Sequence, residues 1–137
     1  MRIRQIHHVA LTHDTDSPLI ALLTDACGLH VDHVEYGDGF TERMWPVGES
    51  YIQTLEATGA GVIAKSLESR GPGIHHIALV VDDIGATIAE LNGRDIRLID
   101  HEPRRVGQTL VAFVHPSAFG GVLVELVELV DDSNEPA

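Results

Sequence analysis

Ile6-His7-His8-Val9-Ala10-Leu11 returns at an offset of 68 residues (74 against 6) as Ile74-His75-His76-Ile77-Ala78-Leu79, with five of the six residues identical. Self-similarity at a fixed offset predicts a duplicated module, and two copies are too few for a solenoid. The flanking pattern agrees. In the first half, Gln5–Thr12 alternates as a strand does. Ser17–Ala26 then spaces Leu19, Ile20, Leu22, Leu23 and Ala26 as a helix does; Asp16 or Ser17 can cap it, Pro18 suits its first turn and Gly28 can end it. Three strand candidates follow, near Val31–Tyr36, Phe40–Val47 and Ser50–Glu56, with turns at Gly37-Asp38-Gly39 and Gly48-Glu49. In the second half, Ile74–Val81 reads as a strand. Asp82 and Asp83 open a helix through Leu91, with Gly93 just past it. Strand candidates near Ile96–Ile99, Thr109–His115 and Val122–Val130 complete the copy.

Each half therefore reads strand, helix, strand, strand, strand. The expected organisation is one α+β domain over 1–130, made of modules 3–60 and 74–130 joined by a linker helix in 61–73. Gly71-Pro72-Gly73 breaks that helix. Residues 131–137 are acidic and contain Pro136, which predicts a frayed tail.

With 137 residues the chain has room for one ordinary domain, burying roughly two-thirds of its unfolded surface. Its 44% apolar content excludes a disordered chain. No apolar run approaches the ~20 residues of a membrane helix, and the first residues do not lead into a secretory apolar core. Cys27 is the sole cysteine, so no internal disulfide can form and a reducing cytoplasm is the default expectation. A net charge of −12 repels polyanions, which argues against nucleic acid as a partner.

The chemistry-bearing residues sit in strands. Alternation places His8 with Ala10, and His76 with Ala78. A single strand histidine is usually structural, but two at equivalent places in a duplicated module can meet at a pseudo-two-fold axis. Glu125 lies inside the apolar run Val122–Val127, where an ionised carboxylate needs a partner or a metal. Glu128, by contrast, is expected to face water. Gln53 and Glu56 fall on opposite faces of their strand, and spacing alone does not choose between them as a fourth ligand. Two histidines with oxygen donors suit Co, Mn, Ni, Fe or Zn. Four protein ligands in an octahedral sphere leave two positions for a chelating substrate.

These stretches, together with Ile63–Glu68, Val80-Val81-Asp82-Asp83-Ile84, Arg97–Asp100, Glu102-Pro103-Arg104, Val111–Pro116 and Gly120–Glu128, resemble the vicinal oxygen chelate superfamily. Within it they are most similar to the methylmalonyl-CoA epimerase family. The resemblance covers residues 3–130 and is more specific in the second half. It implies a pseudo-symmetric domain with a curved mixed sheet around a metal site, and a divalent cation held by His8, Gln53, His76 and Glu125. It further implies that Glu42, in Gly39-Phe40-Thr41-Glu42-Arg43-Met44, is a catalytic acid/base. Without the resemblance, Glu42 reads as a solvated strand residue that could pair with Arg43.

The implied reaction inverts the α-carbon of a 2-substituted malonyl-CoA thioester, with Glu42 and Glu125 as the two proton-handling groups. The implied partner is an acyl-CoA. Lys65, Arg97, Arg104 and Arg105 are candidate phosphate contacts, and a homodimer is expected. Three departures from the family pattern stand out. Ser117 replaces a lysine after His115-Pro116, the Arg104–Thr109 loop is short, and Ser17–Ala26 lacks a tyrosine. The alternatives are a glyoxalase-type isomerase acting on a glutathione adduct and a small-molecule-binding protein of the same fold.

Overall fold

The computed structural model describes residues 2–130. The tail expectation at 131–137 lies outside these residues. The chain divides into two compact units. One is residues 8–75; the other combines residues 2–7 with 76–130. The division falls between His7 and His8, and between His75 and His76, so each repeated strand contributes to both units.

In the unit of residues 8–75, the strands run in the order β2 (His33–Gly37), β3 (Phe40–Val47), β4 (Ser50–Ala57), β1 (Ile3–His13, from His8) and β5 (Gly73–Val81, to His75). β1 and β4 are parallel, while β2/β3 and β3/β4 are antiparallel hairpins. Parallel neighbours need a long crossover; here the helix, β2 and β3 supply it. Gly39 closes the β2/β3 turn at φ +80, and a Cβ there would run into the carbonyl oxygen of Ala60. The Gly39 carbonyl accepts from Thr58 N and Gly59 N, which fixes the exit of β4.

Between β1 and β2, helix α1 begins at Leu19–Ala21 and widens into a π-helical turn at Leu22–Ala26, where a regular helix was expected over Ser17–Ala26. The Thr24 hydroxyl donates to the carbonyls of Ile20 and Ala21, competing with the backbone for those acceptors. Ser17 Oγ accepts from Leu19 N at 3.2 Å. Helix α2 (Val62–Arg70) packs Ile63 and Leu67 onto Ala10, Phe40, Leu55 and Ala57. The opposite sheet face carries Trp45, whose indole N–H donates to Thr54 Oγ1 at 3.0 Å with both side chains out of water.

In the other unit, the order is β1, β5, β8 (Val124–Leu129), β7 (Thr109–Val114) and β6 (Arg104–Val106). β5 and β8 are parallel, and β7 is antiparallel to both β8 and β6. Helix α3 (Ile84–Gly93) covers one face, burying Ile84, Ile88 and Leu91 against Val81, Leu98, Ala112, Val114 and Leu126. The βαβββ order expected from the repeat is present in both halves.

Two expectations fail here. Ile96–Ile99 is not a strand and keeps a single bridge, Leu98 to Val114. Backbone bonds from Ile99 N to Phe113 O and from His115 N to Arg97 O hold the segment to β7, but Phe113 N donates at 2.8 Å to Asp100 Oδ2 instead of to a backbone carbonyl, and the pairing goes no further. The second strand of the copy is instead the short β6, inside the segment read as a loop. Glu128 is also only half exposed, because its Oε1 accepts from Ile84 N at 2.9 Å.

Helix α3 thus begins under two carboxylates, since Asp83 Oδ1 also accepts from Ala86 N at 3.0 Å. These are backbone donors that the helix itself cannot satisfy. Replacing Asp83 or Glu128 by alanine is expected to cost about 1 kcal/mol each, read as a lower urea midpoint at unchanged slope. Wild-type midpoints for both variants would refute this account of the helix start.

Candidate metal and acid/base site

In the unit of residues 8–75, β1 presents His8, Ala10 and Thr12 on one face, all buried. The parallel register sets Ala10 beside Gln53 and Thr12 beside Leu55. The β3/β4 hairpin sets Met44 beside Gln53 and Glu42 beside Leu55. His8, Gln53, Met44 and Glu42 therefore share one face. Glu56 lies on the opposite face, where its Oε1 pairs with Arg43 Nη1 at 2.7 Å. Glu56 thus has a partner of its own, on the face away from His8, while Gln53 shares the face of His8. The ion pair also corrects the alternative pairing of Arg43 with Glu42.

Gln53 is 6% exposed. Its Nε2 donates to Glu42 Oε1 at 2.8 Å and lies 3.4 Å from Met44 Sδ. Its Oε1 is buried with no hydrogen-bond partner. A buried amide oxygen left unpaired is costly, and a cation is the kind of group that would satisfy it. The chemistry of this donor therefore fits a divalent metal.

Glu42 is half-buried. Burial raises its carboxyl above the ordinary carboxylate range, and the neighbouring Glu35 raises it further, while His33 acts weakly the other way. Glu35 is Glu42's cross-strand partner, and carboxylate and imidazole atoms of His33, Glu35 and Glu42 lie within 4.8 Å of one another. Sequence reading missed Glu35. The available signal was the turn at Asp38-Gly39, from which Glu35 and Glu42 are equally distant.

In the other unit, His76, Ala78 and Val80 form the buried face of β5. Ala78 lies beside Glu125, and Glu125 lies beside Phe113. His76 and Glu125 therefore share a face, opposite the one that α3 covers. The His76 and Phe113 rings meet nearly at right angles, with their centroids 5.4 Å apart. Ala10 and Ala78 are equivalent in the repeat, so Gln53 and Glu125 occupy equivalent places. By the same register, Val111 stands where the first unit has Glu42, and Arg104 stands where it has Glu35.

The four candidate cations are all exposed. Lys65 lies on α2. Arg97, Arg104 and Arg105 belong to the other unit, where Arg104 approaches Asp100 at 3.5 Å and Arg105 Nε donates to Gly107 O at 2.9 Å. Arg104 and Arg105 point to opposite faces of β6. At the position of the expected lysine, Ser117 N donates to His115 Nδ1 at 3.1 Å.

Residues 7–113 match the family model of the glyoxalase/bleomycin resistance protein/dioxygenase superfamily. The chain belongs to this superfamily. Among its relatives, the methylmalonyl-CoA epimerase of Dictyostelium discoideum is 31% identical over 92% of this chain and 79% of its own length. The Bos taurus enzyme of the same name is 33% identical over 72% of this chain, and the match spans only 52% of that longer protein. A solved methylmalonyl-CoA epimerase in complex with methylmalonyl-CoA and NH4+ is 29% identical, with a TM-score of 0.84 over 98% of this chain and 100% of that one. The epimerase from Mycobacterium tuberculosis is 31% identical, with a TM-score of 0.84 over 96% of this chain and 91% of that one. Among the described residues, no helix is long and apolar enough to cross a membrane.

The raised proton affinity of Glu42 has a consequence for stability. The folded chain holds this proton more tightly than the unfolded chain does. Its unfavourable contribution is therefore absent below the usual carboxylate range and grows as pH rises through the folded-state value. In metal-free protein, Glu42→Gln is expected to melt above the parent at about pH 7, with the gap closing toward about pH 4. Equal melting temperatures at both pH values would contradict the environment assigned to Glu42.

Proposed function

We propose that the chain is a metal-dependent epimerase that inverts the α-carbon of methylmalonyl-CoA or a close 2-substituted malonyl-CoA. His8, Gln53, His76 and Glu125 are the proposed ligands of one divalent cation. The observation that carries this reading is the Gln53–Glu42 pair. A buried amide oxygen without a partner stands beside a carboxylate whose proton affinity is raised, as a metal ligand beside a general base requires. The equivalent placement of Glu125 beside Ala78 supports a second oxygen donor from the other unit. The names of the relatives support the substrate.

The α-hydrogen of a malonyl thioester is acidified by two flanking carbonyl groups. A divalent cation, when bound, would stabilise the negative charge that develops on the substrate oxygens. Glu42 takes the α-proton on one face of the carbon, because burial brings its basicity closer to neutral pH. Inversion requires delivery on the other face, and Glu125 is the proposed donor there. Glu35 and His33 keep Glu42 in contact with a titratable, exposed rim through which its proton can exchange with water. Lys65, Arg97, Arg104 and Arg105 are the proposed contacts of the CoA phosphates. Arg104 also lies on the face that carries Glu125. The reading includes a homodimer, for which edge strand β2 is exposed along its length and carries Val34 and Tyr36.

The test is solvent exchange in heavy water. The metal-loaded protein is expected to epimerise methylmalonyl-CoA and to incorporate deuterium at the α-carbon. Glu42→Gln is expected to slow both by about 10²–10⁴-fold. Chelation should abolish turnover, and a divalent metal should restore it. A parent protein that neither epimerises nor exchanges, but converts a glutathione hemithioacetal, would replace this reading with the glyoxalase one.

A further inference from the structure

The amide of Gln53 could be oriented either way, and only one way offers an oxygen to a cation. Its orientation is decided by what receives its Nε2–H groups. Two acceptors stand on the neighbouring strand β3: Glu42 Oε1 at 2.8 Å and Met44 Sδ at 3.4 Å. Both project from the same face because they are two residues apart, and Met44 is the register partner of Gln53. With both donors directed toward β3, the carbonyl Oε1 is left buried and unpartnered. The flipped amide would set Oε1 against the Glu42 oxygen, acceptor against acceptor, at hydrogen-bond distance. A carboxylate tolerates that arrangement worse than any neutral neighbour would.

We infer that Glu42 is a positioning residue for the metal ligand Gln53: by accepting Nε2–H, it turns the amide oxygen toward the cation. The group proposed to move the proton would then also set the metal sphere. Partners that orient a ligand typically matter to metal affinity as well as to turnover. Met44 supplies the weaker second acceptor, since thioether sulfur is a poor one. This inference rests on the proposed role of Gln53 as a ligand.

The experiment titrates Co2+ into metal-free parent, Gln53→Ala, Glu42→Leu, Glu42→Ala, Glu42→Gln and the double variant Gln53→Ala/Glu42→Leu. Calorimetry gives the affinity, and circular dichroism confirms that each variant is folded. Glu42→Leu and Glu42→Ala remove the acceptor and are expected to weaken binding about tenfold. Glu42→Gln retains a carbonyl that can accept Nε2–H. It is expected to keep the parent affinity within about twofold while losing epimerase activity. The double variant is expected to bind no more weakly than Gln53→Ala alone, because the two residues act through one contact. Having two acceptor-free variants keeps the test open if one of them fails to fold.

Parent affinity in Glu42→Leu or Glu42→Ala, alongside weakened binding in Gln53→Ala, overturns the positioning role and leaves Gln53 a ligand. Parent affinity in Gln53→Ala overturns the ligand assignment itself. Additive losses in the double variant show that Glu42 acts on the metal by another route, which also overturns the inference.

Discussion

A parallel strand pair in each unit sets a buried alanine beside an oxygen donor, and the rest of the candidate site is arranged around that pairing. Ala10 beside Gln53 and Ala78 beside Glu125 are both 0% exposed. Two residues before each alanine, on the same face, stands a buried histidine. Each alanine is close-packed: Ala10 with Leu55 and Ile63, and Ala78 with Val111 and Val127. A branched side chain at either position would have to displace those neighbours. Parallel pairing also explains why the modules are long. The partners His8 and Gln53, and His76 and Glu125, must be separated in sequence by a helix and two strands before their strands can lie side by side.

The duplication repeats the framework but not the chemistry placed on it. Glu42, Glu35 and Met44 in one unit correspond to Val111, Arg104 and Phe113 in the other. Val111 packs with Ala78 and Val127 as an apolar cluster. One unit therefore carries a half-buried carboxylate with a titratable rim. The other carries an apolar wall, an aromatic ring against His76, and a cation at the edge. The proposed epimerase chemistry, with a base assigned to one unit only, uses that kind of inequality.

Much of this was legible from residues. The repeated hexapeptide and its alternation put both histidines and Glu125 on defined faces, and the turn residues at 37–39 and 48–49 bounded the hairpins. Three features escaped for physical reasons. The segment at Ile96–Ile99 has the residues of a strand, but a side chain, Asp100, takes the hydrogen bond that a ladder would have used. The strand that does form, Arg104–Val106, is short, exposed and charged, and shows no alternation. Glu128 looks like a surface residue until its strand is seen next to the start of α3, a contact 44 residues away in sequence. Alternation separates Gln53 from Glu56 without saying which of the two shares a face with His8; the parallel register of β1 and β4 supplies that.

The same register explains why the two oxygen donors differ in type. Gln53 has Glu42 within hydrogen-bond reach. A second carboxylate at that position would bring two negative oxygens together in a partly desolvated place, so one of them would have to stay protonated. An amide avoids this by donating to Glu42 through nitrogen while keeping a neutral oxygen free. Glu125 has Ala78 and Phe113 as strand neighbours, with Val111 near at hand and no acidic side chain among them. Those strand neighbours bring no second carboxylate against it. The divergence of Gln53 from Glu125 is thus the counterpart of the divergence of Glu42 from Val111. On the proposed roles, a base at Glu42 goes together with an uncharged oxygen donor at Gln53.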